Sequence, residues 1–282
     1  MTRTLTTSLV AFAAVSLLAS TAIADRSGAH YRRGLALKES GKIDQAIKAF
    51  QSAVKDRPKH VMAWASLGHL YKKKKQFKKA VTAYETATKI SAKDAILWSN
   101  LGRAYYRAKR RDDAIRALET SCRLDHKNAE VHNWLGVMKR QKRQYAAAIK
   151  HLKVAVFYKP KDSDYLNNLG LAYRSAKKFK LAIQIYKKAL VMKPNAADYH
   201  FNLGVAYRRE DMIDEAVKSY TKAVTLNPKY HQAWYDLGVM HRHNHDKEKA
   251  IEAFKKYLEL TKGKSKKSDK HVKDSIKALG GM

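Results

Sequence analysis

Residues 197–230 read ADYHFNLGVAYRREDMIDEAVKSYTKAVTLNPKY, and this stretch contains the pattern that decides the fold. Counting from its first residue, Gly204 stands at position 8, Ala216 at position 20, Tyr220 at position 24 and Pro228 at position 32. Positions 4, 7, 8 and 11 lie on one face of a helix, and positions 20, 24 and 27 lie on one face of a second helix. Because proline cannot continue a helix, the chain is predicted to turn at position 32 and to begin again.

The same pattern recurs every 34 residues, without an insertion, in seven repeats. Glycine occupies position 8 and alanine position 20 in every repeat, an aromatic residue or leucine occupies position 24, and all four prolines fall at position 32. Small residues at positions 8 and 20 allow two helices to approach closely, and the larger residue fills the remaining space. The pattern therefore predicts tandem helix–turn–helix repeats, which begin near residues 27, 61, 95, 129, 163, 197 and 231.

This pattern resembles the tetratricopeptide repeat family, and the resemblance covers residues 27 to about 264. It implies an all-α, right-handed α-solenoid in which each repeat packs against its neighbours and the first helices line a concave groove. Beyond the last repeat, Val272, Ile276 and Leu279 share one helical face, which predicts a C-terminal capping helix over residues 268–279. A frayed basic tail is the alternative for this segment.

The first 24 residues have the layout of a secretory signal peptide. Arg3 precedes an apolar run at residues 9–18, and Ala22 and Ala24 are the small residues before the expected cleavage site. A membrane anchor is the alternative, but the run is shorter than the roughly 20 residues that span a bilayer. We therefore predict cleavage after Ala24, export to the periplasm or secretion, and no transmembrane segment in the mature chain. The repeat array is expected over residues 25–264 and a basic tail with the capping helix over 265–282.

The composition narrows the class of function. The chain has 282 residues and 58 basic against 25 acidic ones, so its formal net charge is +33, which indicates an anionic partner or surface. No enzyme motif stands out, and the array leaves no room for a catalytic domain, so neither catalysis nor a cofactor is expected. No metal site is expected in the HRHNH run at residues 241–245 either, because the middle histidine points away from the face that the outer two share. Cys122 is the one cysteine, which excludes an intramolecular disulfide.

The exposed positions of the first helices predict a partner-binding groove. A basic residue recurs at position 12, and asparagine recurs at position 6, where its amide can both donate to and accept from an extended peptide. The alternatives are a solvated charged face and, for asparagine, a residue that is simply common before Leu-Gly in this family. The predicted groove residues are Arg107, Arg140, Arg174, Arg208, Arg242, Asn100, Asn168 and Asn202.

A second basic feature, the basic ridge, is predicted at the turns between the two helices of repeats 2 to 5. The windows 72–79, 106–113, 140–147 and 174–181 together carry a net charge of +15. Clustered cations of this kind attract polyanions without specifying which one. The ridge residues are Lys72, Lys73, Lys74, Lys75, Lys78, Lys79, Arg110, Arg111, Arg143, Lys177, Lys178 and Lys180.

These features predict a non-enzymatic, exported interaction scaffold that binds an acidic or extended segment of a partner protein in its groove. An envelope-complex assembly factor is a version of this function that differs only in the partner. The alternative is polyanion binding through the basic ridge, to an anionic envelope surface or to nucleic acid. Export makes nucleic acid the less natural target.

Overall fold

The computed structural model describes residues 25–261 and 266–281, and this part of the chain is helical apart from short connections. The predicted signal peptide at residues 1–24 lies outside the described residues. The chain divides into two compact units, Met1–His126 and Lys127–Met282, which are described separately below. In the described ranges, no helix is both long enough and apolar enough to cross a membrane.

The N-terminal unit contains repeats 1 to 3 as consecutive helix pairs. The two helices of repeats 2 and 3 pack against each other, and the second helix of repeat 2 also packs on the first helix of repeat 3. The six helices are α1 (25–39), α2 (Ile43–Asp56), α3 (Val61–Lys73), α4 (Phe77–Ile90), α5 (Ala95–Arg107) and α6 (Arg111–Leu124).

The C-terminal unit contains repeats 4 to 7, packed in the same order, and one further helix. The tandem all-α arrangement that the 34-residue period predicts is thereby confirmed. The helices are α7 (Ala129–Gln141), α8 (Tyr145–Tyr158), α9 (Ser163–Ser175), α10 (Phe179–Met192), α11 (Ala197–Arg209), α12 (Ile213–Leu226), α13 (His231–His243), α14 (Lys247–Thr261) and α15 (Lys266–Ala278).

The glycine at position 8 packs directly against the side chain at position 24 in each helix pair. A Cβ atom on Gly170 would lie 2.4 Å from the Tyr186 ring, and one on Gly68 would lie 2.7 Å from the Tyr84 ring. Both tyrosine side chains are fully buried. The two helices of a repeat therefore pack at a separation that no residue with a side chain permits at position 8.

Several of the loops between repeats are held by the side chain at position 4 of the following repeat. Trp64 donates from Nε1 to the carbonyl oxygen of Pro58 at 2.8 Å, and Trp234 donates to that of Pro228 at 2.9 Å. His200 takes the same place, with its Nε2 2.8 Å from the carbonyl oxygen of Pro194. In repeats 2, 6 and 7 the residue at position 4 thus bonds to the preceding loop as well as supplying packing area.

The turn within each repeat contains one residue with positive φ, at position 15. Gly41 occupies it in repeat 1, with φ of 74°, but the later repeats have no glycine there. A left-handed conformation costs roughly 1–2 kcal/mol for a residue with a side chain. The six residues concerned, with φ between 58° and 63°, are Lys75, Lys109, Arg143, Lys177, Asp211 and His245.

Helix α15 covers the last repeat, as predicted. Val272 and Ile276 are buried against Phe254 and Tyr257 of α14, and Leu279 packs beside them. The interpretation of this segment as a frayed tail is therefore wrong, because α15 buries an apolar face that repeat 7 would otherwise expose to water.

Candidate partner-binding groove

Hydrogen bonds between successive first helices bring several of the predicted groove residues together. Arg174 on α9 donates from Nη1 to Asn202 Oδ1 on α11 at 2.9 Å. Asn202 in turn donates from Nδ2 to Asn167 Oδ1 at 3.1 Å. Asn168 makes the equivalent bond to Asn133 Oδ1, at 2.9 Å. These bonds form a row of polar side chains that joins the first helices of neighbouring repeats. The sequence did not indicate these contacts.

The next link in this row contains a buried acid. Arg208 Nη1 lies 3.1 Å from Asp236 Oδ1, and the Asp236 residue is only 4% exposed. Gln232 donates to the second carboxylate oxygen at 3.4 Å. Burial raises the pKa of Asp236, although Arg208, Gln232 and Arg174 act in the opposite direction. Asp236 stands where repeats 3, 5 and 6 have asparagine, so Arg208 is partly committed to neutralising a buried charge.

The row ends at the capping helix. Arg242, exposed on α13, donates from Nη1 to Ser275 Oγ of α15 at 3.2 Å. Helix α15 therefore supplies the acceptor that a further repeat would have supplied, in addition to the apolar cover described above.

Arg140 on α7 is different from the other arginines of the row. Its Nε atom is buried and has no hydrogen-bond partner among the residues that the structure describes. Burial lowers the pKa of the Arg140 guanidinium, and the positive charge of Arg174 lowers it further. An anion placed beside these two side chains would offset their repulsion and could accept a hydrogen bond from Arg140.

A cleft of about 690 Å³ lies beside this row in the C-terminal unit. Its lining combines three cations with apolar side chains, and none of the described residues that line it is acidic. A carboxylate next to an apolar side chain is the ligand that this lining matches. The cations are Arg174, Lys177 and Arg209, the apolar residues are Phe179, Phe201 and Val205, and Ser175 and Gln232 complete the lining.

The composition of the cleft differs from the sequence-based prediction in two residues. Lys177 was assigned to the basic ridge, but it lines the cleft together with Arg174. Arg209 was not predicted, although position 13 is expected to face the groove. Reading positions 5, 9 and 13 within repeat 6 would have found Phe201, Val205 and Arg209 together.

Two predicted groove residues lie in the N-terminal unit. Asn100 is half-buried and Arg107 is exposed, both on α5. Their part in partner binding stays a prediction.

In the N-terminal unit, the basic ridge contains cations that already have partners. Lys74 pairs with Asp44, and Arg110 lies 2.6 Å from Asp113 and 3.7 Å from Glu85. Lys79 lies over the ring of Tyr71, at 5.8 Å from its centroid. Lys72 is half-buried and also has a partner, whereas the other ridge residues are exposed, namely Lys73, Lys75, Lys78 and Arg111.

In the C-terminal unit, the ridge residues are all exposed. They are Arg143 in the α7–α8 turn, Lys177 and Lys178 in the α9–α10 turn, and Lys180 in the first turn of α10. The turn segments 140–144 and 174–178 contain no acidic residue, so the local positive charge is not neutralised within the segments themselves.

Cys122 has the environment of an unreactive thiol. It is half-buried, and burial raises the pKa of the thiol to about 12, with a further contribution from Asp125 and Glu119. Because the thiolate is the nucleophile, this shift disfavours reaction at neutral pH.

The chain consists of tandem helix pairs that present a row of side chains on their first helices. This arrangement places it in the class of helical-repeat scaffolds. The chain belongs to the tetratricopeptide repeat family. A family model described as the cilia and flagella-associated protein 70 C-terminal domain matches residues 10–233, and one described as tetratricopeptide repeat matches residues 219–252. No curated protein matches the chain at a significant level.

Solved structures of tetratricopeptide repeat proteins are similar to this chain. The MamA protein is 28% identical with a TM-score of 0.57, over 61% of this chain and 94% of its own. YrrB, described as having an unusual peptide-binding site, is 19% identical with a TM-score of 0.61, over 66% and 96%. A repeat protein from Cytophaga hutchinsonii is 19% identical with a TM-score of 0.70, over 82% and 95%. The last two likenesses concern the fold alone.

Family membership supports a protein-interaction scaffold as the general function. Tetratricopeptide repeat proteins are generally non-catalytic scaffolds, and neither family match is to an enzyme.

The Arg208–Asp236 pair predicts an asymmetric response to mutation. Replacing Arg208→Gln leaves a buried carboxylate without its cation and should destabilise the fold by about 3–5 kcal/mol. Replacing Asp236→Asn recreates the Arg174–Asn202 arrangement and should change stability by no more than about 1 kcal/mol. Urea denaturation measures both free energies of unfolding.

The same pair predicts a pH dependence. Because burial raises the pKa of Asp236, folding takes up a proton between the ordinary carboxyl pKa and the raised one. The parent should therefore gain stability relative to Asp236→Asn as the pH falls from neutral to about 4. A stability difference that is independent of pH would show that Asp236 titrates normally.

Proposed function

We propose that the chain is an exported scaffold that holds an acidic, extended segment of a partner protein along the first helices of repeats 4 to 7. The segment places a carboxylate and an adjacent apolar side chain in the cleft of the C-terminal unit. An assembly role in an envelope complex is the form of this function that fits the export signal. YrrB, which has the same fold, is described as having a peptide-binding site, and this agrees with a peptide ligand here.

The observation that carries the proposal is the lining of the cleft. Arg174, Lys177 and Arg209 supply positive charge around the apolar side chains of Phe201 and Val205, without an acid in the lining. Arg140 adds a buried N–H group that has no acceptor within the described chain. A charged face that only contacts water would need neither the apolar side chains of Phe201 and Val205 nor the buried Nε–H group of Arg140.

The internal hydrogen bonds assign different parts to the predicted groove residues. Arg174 uses Nη1 to reach Asn202, and the remaining donors of a guanidinium can still bind a ligand. Asn168 and Asn202 position the row by joining repeats, and Arg208 mainly neutralises Asp236. Arg140, Arg174 and Arg209 are the arginines that we propose contact the partner.

A peptide-binding assay tests the groove. The probe is a fluorescein-labelled peptide rich in glutamate with one central phenylalanine, and the variant combines Lys177→Glu with Arg209→Glu. Both side chains are exposed, so the fold should persist while the affinity falls roughly tenfold or more. The matched control combines Lys218→Glu with Lys222→Glu on α12, which changes the net charge equally. Equal loss in both variants, or no loss in either, would refute specific binding in the cleft.

Export is proposed on the N-terminal sequence alone. Signal cleavage after Ala24 predicts a mature chain that begins at Asp25 and is recovered from the periplasm or the medium. N-terminal sequencing of the protein from its own cells measures this directly. An intact Met1 on a cytosolic protein would contradict it and would favour nucleic acid as the partner.

A second candidate function, polyanion binding by the basic ridge, is favoured by the turn conformation. Three ridge residues, Lys75, Arg143 and Lys177, occupy the positive-φ position at which repeat 1 has glycine, and so does Lys109 beside Arg110 of the ridge. Glycine adopts this conformation without strain, so four successive basic residues there are costly for stability. Such a cost is typical of positions that serve a function, in this case attraction of an anionic envelope surface or nucleic acid.

Replacing three of these residues tests the ridge. Lys75→Gly, Lys109→Gly and Arg143→Gly together should raise the free energy of unfolding by about 1.5–3 kcal/mol in total. If the ridge binds polyanions, the same variant should bind a short DNA duplex more weakly and with a smaller dependence on salt.

The control for the ridge experiment lies in repeats 6 and 7. Asp211→Gly and His245→Gly should give a similar gain in stability per residue without weakening DNA binding, because neither position adds a fixed positive charge. If the basic-turn variant gained stability but kept its affinity for DNA, the ridge would have no part in polyanion binding.

A further inference from the structure

The second helices of repeats 4 and 5 share an unusual exposed face, which we call the α8–α10 face. Positions 18, 22, 25 and 29 are exposed on both helices and lie on one side of each. Each stripe contains two lysines, and an apolar residue occupies its C-terminal end. The stripes are Ala146, Lys150, Lys153 and Phe157 on α8, and Lys180, Gln184, Lys187 and Val191 on α10.

The apolar ends of these stripes are strongly exposed. Phe157 is 76% exposed and Val191 is 73% exposed. Each is followed by a second exposed apolar residue, Tyr158 in α8 and Met192 in α10. The Phe157 and Tyr158 rings pack edge to face, with centroids 5.1 Å apart. Two aromatic and two aliphatic side chains therefore face solvent where the second helices of adjacent repeats end.

The charge around these ends has one sign. Residues 140–161 contain seven Lys or Arg residues and no acid, and the same is true of residues 174–197. The two acids that follow residue 161 have partners: Asp162 caps α9, and Asp164 accepts a hydrogen bond from Tyr199 and lies 3.8 Å from Lys193 Nζ. The α8–α10 face thus combines exposed apolar side chains with lysines that pair with no acid in the described ranges.

The other second helices do not have this combination. At the same four positions, each of them carries at least one acidic residue, for example Asp44, Glu85, Asp112, Asp214 and Glu248. Position 29 is Lys55, Lys89 and Arg123 in repeats 1 to 3, and Thr225 and Glu259 in repeats 6 and 7. The high lysine content of the chain therefore does not account for the apolar ends in repeats 4 and 5.

We propose that the α8–α10 face docks on the surface of an anionic lipid bilayer. Lysines next to an anionic leaflet are attracted to its headgroups, and exposed aromatic and aliphatic side chains can enter the boundary of the acyl chains. A nucleic acid would use the lysines but would leave Val191 and Met192 without a contact. The face contains none of the residues that line the cleft, so membrane docking and partner binding can be tested separately.

Co-sedimentation with vesicles tests the proposal, using the full chain throughout so that the apolar run at residues 9–18 contributes equally. Vesicles of phosphatidylcholine with phosphatidylglycerol should bind the chain, and vesicles of pure phosphatidylcholine should bind it far more weakly. Replacing Phe157→Ser with Val191→Ser leaves the charge unchanged and should weaken binding by roughly tenfold or more. Replacing Lys150→Gln, Lys153→Gln and Lys187→Gln should weaken it by roughly a hundredfold, at about a factor of five per lysine.

The matched control places three lysine substitutions elsewhere in the same compact unit. Lys218→Gln, Lys222→Gln and Lys255→Gln remove the same charge from exposed positions on α12 and α14, and should reduce vesicle binding far less. Circular dichroism of each variant establishes that the helices are retained.

Several outcomes would overturn the proposal. Vesicle binding that survives in the Phe157→Ser, Val191→Ser variant would show that the apolar ends do not enter the bilayer. Equal loss in the control would reduce the effect to overall charge. If these serine substitutions abolish self-association in sedimentation velocity and leave vesicle binding unchanged, the face contacts a second copy of the chain. Lysine-dependent DNA binding without vesicle binding would identify a polyanion site.

Discussion

The close approach of two helices at position 8 is the constraint on which the rest of the structure depends. At Gly170 and Gly204, the ring of a buried tyrosine occupies the space in which a side chain would otherwise stand. This contact sets the rotation of the first helix against the second in each repeat. Position 12 then meets position 6 of the next repeat, as in the Arg174–Asn202 bond. Positions 18, 22, 25 and 29 of the second helix are left to solvent in repeats 4 and 5.

Most of the fold could be predicted because the core is periodic. The recurrence of glycine, alanine and a large residue identified both helices of each repeat, and the spacing of Val272 and Ile276 identified the capping helix. The turn conformation could not be predicted in this way. Lys75 and Arg143 adopt a positive φ that their residue type disfavours, because the helices on either side determine the path of the chain between them.

Less of the candidate site could be predicted from the sequence, because its arginine contacts join residues 28 positions apart. The recurrence of arginine at position 12 was visible, but the bonds from Arg174 to Asn202 and from Arg208 to Asp236 depend on how one repeat packs on the next. The cleft also contains residues of both predicted surfaces, since Arg174 belongs to the predicted groove and Lys177 to the basic ridge. Charge patterns along a chain do not show where two such surfaces meet.

The hydrogen bond from position 4 to the preceding loop has a consequence for how such a chain can change in length. The Trp64–Pro58 and Trp234–Pro228 bonds each span six residues, and the turn within a repeat is equally constrained by its one left-handed residue. A single inserted residue would break one of these connections and shift every later contact out of phase. The chain can therefore grow or shrink without disruption only by whole repeats, through duplication or deletion of a 34-residue segment.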